Sequence, residues 1–499
     1  MTPVEKFPQP AAKRDPGKLR GRAAGILAVL CAAMFLDALD VSMMAVALPS
    51  MQRSLHMSTA SLQWVISGYV LGYGGFLLLG GRAADVLGRR RVFLVALAGF
   101  AVMSAAGGFA TDGGVLIASR FIKGVTAGFT APAGLSIILA SFGEGPLRHR
   151  ALAVYSATGA AGFTFGLMAG GLLSEVSWRL VFFVPSIVAL VTLVAAVRLI
   201  PRERRGDQAR QPLDVPGAVS VTVAALLLVF TLTEAPSAGW ATLRTIGSLA
   251  GVAALLAAFV AIERRQASPL IRLNLLRHWP RVRANLGAMV FVGGWAATQF
   301  IATLYMQELR HWSALETAAA FWPCGVLGLF VAPRLTALIG RFGLLRVLSA
   351  GLALTVVAYV LVLRIGLTSG YWPVLFPTFA LIGIAFGLTF PALNIAATDG
   401  VRPEEHGVAS GLFQTSAQFG TALLIAVTTA VTQATVHPGT AGGVLRGYHA
   451  GLMVPLVASA AVLTLTVVAA AGRRPRSPAP ATVTPVVEGD AVSEPQLCG

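Results

Sequence analysis

The chain has 499 residues, 56% of them hydrophobic and only 12% charged, with a mean hydropathy of +0.75 and a net charge of +17. Soluble domains carry about twice that charged fraction, so a soluble enzyme, or a soluble protein with one anchor, is excluded. In a soluble chain such a positive charge would point to nucleic acid. Here the basic residues sit between apolar runs of about 20 residues, each long enough for a hydrocarbon core of about 30 Å, and they face water and anionic lipid instead.

Fourteen spans are expected, near 24–49, 61–80, 91–111, 115–140, 151–173, 178–200, 216–236, 243–263, 284–306, 317–339, 344–365, 372–397, 408–433 and 450–471. The fold class is therefore an all-α polytopic membrane protein with 14 transmembrane helices. The first 22 residues are polar and basic with no apolar centre, which argues against a cleavable signal peptide. Cys31, Cys324 and Cys498 have no metal-ligand spacing, so no metal site and no disulfide framework is expected.

The basic residues test the topology. With both termini cytoplasmic, and span ends counted with the loops beside them, 30 fall on the cytoplasmic side, six on the other side, and two, Arg120 and Lys123, are assigned to the interior of a span. A wrong span count would blur that contrast, so it supports the count and the orientation together.

An internal repeat divides the chain. Span 4 contains Gly124-xxx-Gly128 ending in Pro132-Ala133, and span 12 contains Gly383-xxx-Gly387 ending in Pro391-Ala392, at a constant offset of 259. Gly88-Arg89 is echoed by Gly340-Arg341 at an offset of 252. Two matched halves are a transporter plan. The expected organisation is a cytoplasmic basic tail (1–23), a six-helix bundle (24–200), a linker (201–215) and two extra central helices (216–263). A cytoplasmic loop (264–283), a second six-helix bundle (284–471) and a disordered, proline-rich cytoplasmic tail (472–499) complete it.

Between spans 2 and 3 lies a charge-dense stretch, Gly81-Arg-Ala-Ala-Asp85-Val-Leu-Gly88-Arg89-Arg90-Arg91, expected to be a compact turn between antiparallel neighbours. Span 1 holds LDVSMMAVALP (Leu39 to Pro49), span 2 opens with Gln63-Trp64-Val65 and Tyr69, and Asp214-Val-Pro-Gly217 opens the first extra helix. Ser268-Pro-Leu-Ile271, Tyr305-Met-Gln307 with Pro323, and Gly407-Val-Ala-Ser-Gly411 follow in order. Together these stretches resemble the fourteen-helix drug:proton antiporter branch of the major facilitator superfamily, over roughly residues 24–471. The resemblance implies the major facilitator fold. It also implies a cytoplasmic gate at Gly81, Asp85, Gly88, Arg89 and Arg90, latching the two halves in the outward-facing state.

Two departures stand out. The family's span 4 motif RxxqG reads Arg120-Phe-Ile-Lys123-Gly124, with a second cation in place of glutamine. The antiporter signature GxxxGPxxGG of span 5 reads Gly162-xxx-Gly166-Leu167-xx-Gly170-Gly171, its proline replaced by leucine. The glycines at i, i+4 and i+8 still make a smooth packing face, but a proline kink is no longer guaranteed.

Charges at membrane depth cost a few kcal/mol each and persist where something compensates them. Asp37 and Asp40 in span 1, and Arg120 and Lys123 in span 4, are each spaced i, i+3 and so share a helix face. Their heights along the spans agree, predicting pairs Asp40–Arg120 and Asp37–Lys123. Asp40, Arg120, Asp37 and Lys123 are all candidates for proton coupling, with Asp40 as the carboxylate expected to be protonated, and the resemblance ties the Asp40–Arg120 pair to that role. Tyr69, Tyr73, Gln299, Gln414 and Gln418 are polar or amphipathic groups inside spans and are candidates for a substrate cavity.

No Walker A sequence GxxxxGK[ST] and no HExxH occurs, so neither an ATP motor nor a metalloprotease is expected. The expected activity is proton-coupled efflux of amphipathic small molecules by alternating access, without enzymatic turnover and with the proton as the only coupling ion. A proton symporter or importer of a metabolite, and a transporter-like membrane sensor, are the alternatives. The expected partners are a small-molecule substrate and the lipid bilayer, with the monomer as functional unit and no nucleic acid. The excess of arginine over lysine, 34 to 4, points to a GC-rich bacterial genome and hence to the bacterial cytoplasmic membrane.

Overall fold

The computed structural model describes residues 21–142, 145–202, 214–266, 278–401, 405–437 and 439–471. Most of the N-terminal tail, the linker, the Ser268–Ile271 motif and the C-terminal tail lie outside the described residues. Fourteen helical stretches are long and apolar enough to span a membrane, and they match the expected spans one for one. No strand occurs among the described residues.

The first six helices are α1 (Arg22–Leu55), α2 (Thr59–Leu87), α3 (Arg89–Gly108), α4 (Gly113–Ser141), α5 (Pro146–Val176) and α6 (Leu180–Leu199). The extra pair is α7 (Val215–Ala238) and α8 (Leu243–Arg265). The remaining spans begin with α9 (Trp279–Leu304), and with α10 (Ala314–Val331) running through a short turn into α11 (Leu335–Phe342). They finish with α12 (Leu344–Val362), α13 (Phe376–Thr398), α14 (His406–Thr435) and α15 (Ala441–Ala471).

The repeat is visible in the packing. In the first half α2 lies on α4, α1 on α5, and α3 on both α4 and α6; in the second α10 lies on α13, α9 on α14, and α12 on both α13 and α15. The repeated glycines explain the closest contacts. A side chain at Gly124 would strike the main chain of Tyr69, and one at Gly383 would strike the main chain of Cys324. The extra pair is central in the sequence but peripheral in space: α7 packs on α8 and lies against both α2 and α14, beside the seam between the halves.

Three expectations need correction. The stretch after Gly81 is not a turn, since α2 continues to Leu87 and α3 begins at Arg89. The whole reversal falls on Gly88, at φ 96° and ψ 125°, a conformation open to glycine without a Cβ penalty. Its structural counterpart is Gly343, at φ 84° and ψ 152° between α11 and α12, so the echo runs at an offset of 255 rather than through Gly340. Matched on the two breaks, Gly340 stands opposite Asp85, and the second half still lacks the acid. Finally, α15 starts at Ala441, ahead of the expected 450. Its first turns include Arg446, Tyr448 and His449, whose polarity hides the helix from a hydropathy reading; His449 bonds the carbonyl of Ile365 at 2.8 Å.

Arginines outside the apolar spans do more than obey charge statistics. Arg90 donates to the carbonyls of Ile200 and Val197, each at 2.9 Å, and Arg22 donates to that of Leu199 at 3.1 Å. These are the orphan carbonyls at the C-terminal end of α6, where a cation also meets the negative end of the helix dipole. Arg148 does the same for α4, Arg179 for α3, and Arg281 for α13. Arg90→Gln is expected to destabilise the protein by about 1–2 kcal/mol, read as a lower melting temperature in detergent. Arg91→Gln, at an exposed neighbour, should leave the melting temperature unchanged.

Candidate functional site: a buried charge cluster in the first half

The four intramembrane charges converge. Asp40 is completely buried and receives Arg120 on Oδ2 and Lys123 on Oδ1, so a different cation holds each carboxylate oxygen. Arg120 also donates through Nε to the carbonyl of Val65 at 3.0 Å, and its guanidinium lies 4.4 Å from the centroid of the Tyr69 ring. Lys123 donates to Ser104 Oγ at 2.8 Å, over the Phe100 ring at 4.4 Å, and Ser104 in turn donates to the carbonyl of Phe182 at 2.8 Å. Helices α1, α2, α3, α4 and α6 all contribute to the site.

The expected Asp40–Arg120 pair is present; the expected Asp37–Lys123 pair is not. The four-carbon stem of Lys123 carries its ammonium to Asp40, where Ser104 on α3 fixes its other side. Asp37 stands one turn away, nine-tenths buried, and its Oδ2 accepts no hydrogen bond from any described residue. Sequence reasoning missed Ser104, Phe100 and Phe182, because a serine or phenylalanine inside an apolar span carries no signal of its own.

The glycines of the span 5 signature seat this cluster. Gly162 abuts Phe35, Gly166 abuts Leu39 and Ser42, and Gly170 abuts the main chain of Met43, so all three press on the α1 segment that carries Asp37 and Asp40. Gly171 faces Ala314, Leu315 and Ala318 of α10, across the seam. Leu167, in place of the family's proline, is fully buried within an uninterrupted α5.

The cavity candidates separate. Tyr69 is buried beneath Arg120 and belongs to the charge cluster, not to an open cavity. Tyr73 is partly exposed, 6.2 Å from Tyr69 between ring centroids. Gln414 and Gln418 are partly exposed on α14, with Gln418 against Gly74 of α2 across the seam. Gln299 is buried, and its Nε2 has no partner among the described residues.

Of the expected gate residues, Gly81 packs beside Pro132 within the first half and Arg90 caps α6. The Asp85 side chain is 66% exposed and meets Arg89, one turn on, at 3.9 Å. Bonds between the halves are described at the opposite end. There Gln307 donates to the carbonyl of Val46 at 2.9 Å, and Glu175 accepts from the amide of Leu315 at 3.1 Å. Deeper in, Thr415 donates to the carbonyl of Gly74 at 3.1 Å. An exposed ion pair contributes about 0–1 kcal/mol, so Asp85→Asn is expected to leave the melting temperature of this conformation within a degree or so of the parent. A large drop would show that Asp85 already bridges the halves.

At the matching place in the second half, an offset of 259 puts Phe379 opposite Arg120. Phe379 is fully buried against Phe321 and Trp295, at centroid distances of 4.6 and 6.4 Å. One half therefore holds buried ions where its repeat holds an aromatic cluster.

Two six-helix halves around a seam, with a buried charge cluster in one of them, define a membrane transporter of the major facilitator type. The Major Facilitator Superfamily pattern matches residues 30–425, and the chain belongs to that superfamily. Among its relatives, the puromycin resistance protein pur8 of Streptomyces alboniger is 37% identical over 465 residues, covering 89% of this chain and 90% of that one. The cephamycin export protein CmcT of Amycolatopsis lactamdurans is 36% identical, covering 82% and 85%. The tetracenomycin C resistance and export protein of Streptomyces glaucescens is 31% identical, covering 85% and 79%. Among solved structures the fold is shared with the POT family transporter PepTSo, at TM-score 0.64 and 16% identity, covering 90% of this chain and 99% of that one. It is shared too with the nucleoside transporter NupG, at TM-score 0.63 and 13% identity, covering 89% and 99%.

Proposed function

We propose that this protein is a proton-driven exporter of amphipathic, antibiotic-like small molecules, working by alternating access in a bacterial cytoplasmic membrane as a monomer. The observation that carries the reading is the sealed Asp40–Arg120–Lys123 cluster with Asp37 beside it, in one half only. Buried intramembrane charges are costly and mark proton and substrate pathways, and the matching place in the second half holds Phe379 where this half holds Arg120. The relatives named for antibiotic resistance and export support the outward direction.

The distribution of basic residues supports a topology with both termini and the Gly88 end in the cytoplasm. With the opposite end joined, the conformation then corresponds to an inward-facing state. Asp85, paired with Arg89 here, is the residue that would take up a cross-half latch when the molecule turns outward. Protonation within the cluster changes its net charge and so biases the two access states.

Puromycin is the first probe, because the pur8 relative is named for it. Respiring everted vesicles containing the protein are expected to accumulate labelled puromycin, with accumulation abolished by an uncoupler. Accumulation that survives the uncoupler would overturn proton coupling. Accumulation only in right-side-out vesicles would establish an importer.

A further inference from the structure

Resting on that reading of the cluster, we propose that Asp37 is the carboxylate that takes up and releases the proton, while Asp40 stays ionised as a fixed counter-charge for Arg120 and Lys123. Both Asp40 oxygens already accept cationic donors, and the residue has no exposure at all. A proton placed there would have to displace an N–H donor and would leave two buried cations facing a neutral acid. Asp37 differs on each count. Its Oδ2 is buried with no hydrogen-bond donor among the described residues, and the residue keeps a 7% exposure that Asp40 lacks. An ionised carboxylate without donors is the group in the cluster most easily neutralised.

The charges support the same division. Asp40, Arg120 and Lys123 together carry one surplus positive charge, which the ionised Asp37 balances. The glutamine expected at position 123 is a lysine, and Asp37 supplies the matching negative charge. The ionisable groups within electrostatic range of Asp37 are Asp40 on its own helix, Tyr69 and Tyr73 from α2, Lys123 from α4, and Tyr155 from α5. Arg120 of α4 turns to Asp40. The remaining neighbour in this half, α6, has its ionisable Arg198 at its far end, and α9 and α10 approach α1 from the other half. A proton added to Asp37 neutralises the one unpaired anion and takes the cluster from neutral to singly positive. Its release restores neutrality, and no other atom changes partner.

Infrared difference spectra between acid and alkaline pH, taken on the purified full chain without substrate, test this directly. The parent is expected to gain the carbonyl band of a buried carboxylic acid on acidification, and Asp37→Asn to lose it. The double variant Asp37→Asn/Lys123→Gln keeps the cluster neutral and is expected to fold and to lose the band as well, which answers the question should the single variant fail to fold. A band that persists in the Asp37 variants, or a parent with no such band, would overturn the proposal. Because the titration is read without transport, loss of the band together with absent puromycin flux would sink the export reading and leave this one standing.

Discussion

Asp40→Asn is expected to abolish uncoupler-sensitive puromycin accumulation and to destabilise the protein by about 3–5 kcal/mol, the usual cost of leaving buried charges uncompensated. The reason lies in the geometry. Asp40 is the shared counter-ion of Arg120 and Lys123, all three essentially without exposure, and an asparagine amide offers those cations one neutral acceptor. Lys123→Gln should cost less, because the Asp40–Arg120 pair and the bond from Arg120 to Val65 survive it and a proton on Asp37 restores the neutrality of the cluster. Thermal unfolding in detergent, alongside vesicle transport, checks both variants. An Asp40→Asn protein as stable as its parent would mean that the cluster is not held together by this carboxylate.

The second large effect is expected at Gly166. A Cβ built there lies 2.8 Å from the Cα of Leu39 and collides with the Ser42 hydroxyl. Leu39 and Ser42 flank Asp40 on α1, so a larger residue cannot be accommodated by a side-chain rotation and must displace the helix that carries the charges. Gly166→Val is expected to cost about 1–3 kcal/mol through overpacking and to abolish export. Gly247→Ala on α8, where a Cβ meets nothing within 4 Å, is the control and should be neutral or slightly stabilising. Transport by Gly166→Val at the parental rate would show that the close α1–α5 contact is dispensable. The same geometry accounts for the missing proline: the glycines make the contact with α1, and Leu167 fills the core behind them.

Much of this molecule was legible in the chain. The spans were readable because a bilayer imposes a minimum length of apolar sequence on every crossing. The repeat was readable because close helix contacts demand glycine at fixed spacing, and Gly124 and Gly383 indeed lie against the main chains of neighbouring helices. The Asp40–Arg120 pair followed from equal depth and the expense of leaving either charge alone. Less of the gate was legible. Gly81, Asp85, Gly88, Arg89 and Arg90 read as one unit, yet Arg90 bonds carbonyls at the end of α6, some 110 residues away, and Asp85 pairs with Arg89 at the start of α3. Which half a loop residue serves depends on the access state, and one sequence encodes both states.

The sequence by itself determined the number of crossings, the duplicated plan and the helices on which the four charges ride, because each of these follows from length, periodicity or spacing along a single chain. Only the tertiary structure decided how those charges are shared. Asp37 to Lys123 and Asp40 to Lys123 are equally open to a flexible lysine on a neighbouring helix. Ser104 and Phe182, brought in from α3 and α6, choose between them. That choice gave one aspartate two hydrogen-bonded cations and left the other without a direct one.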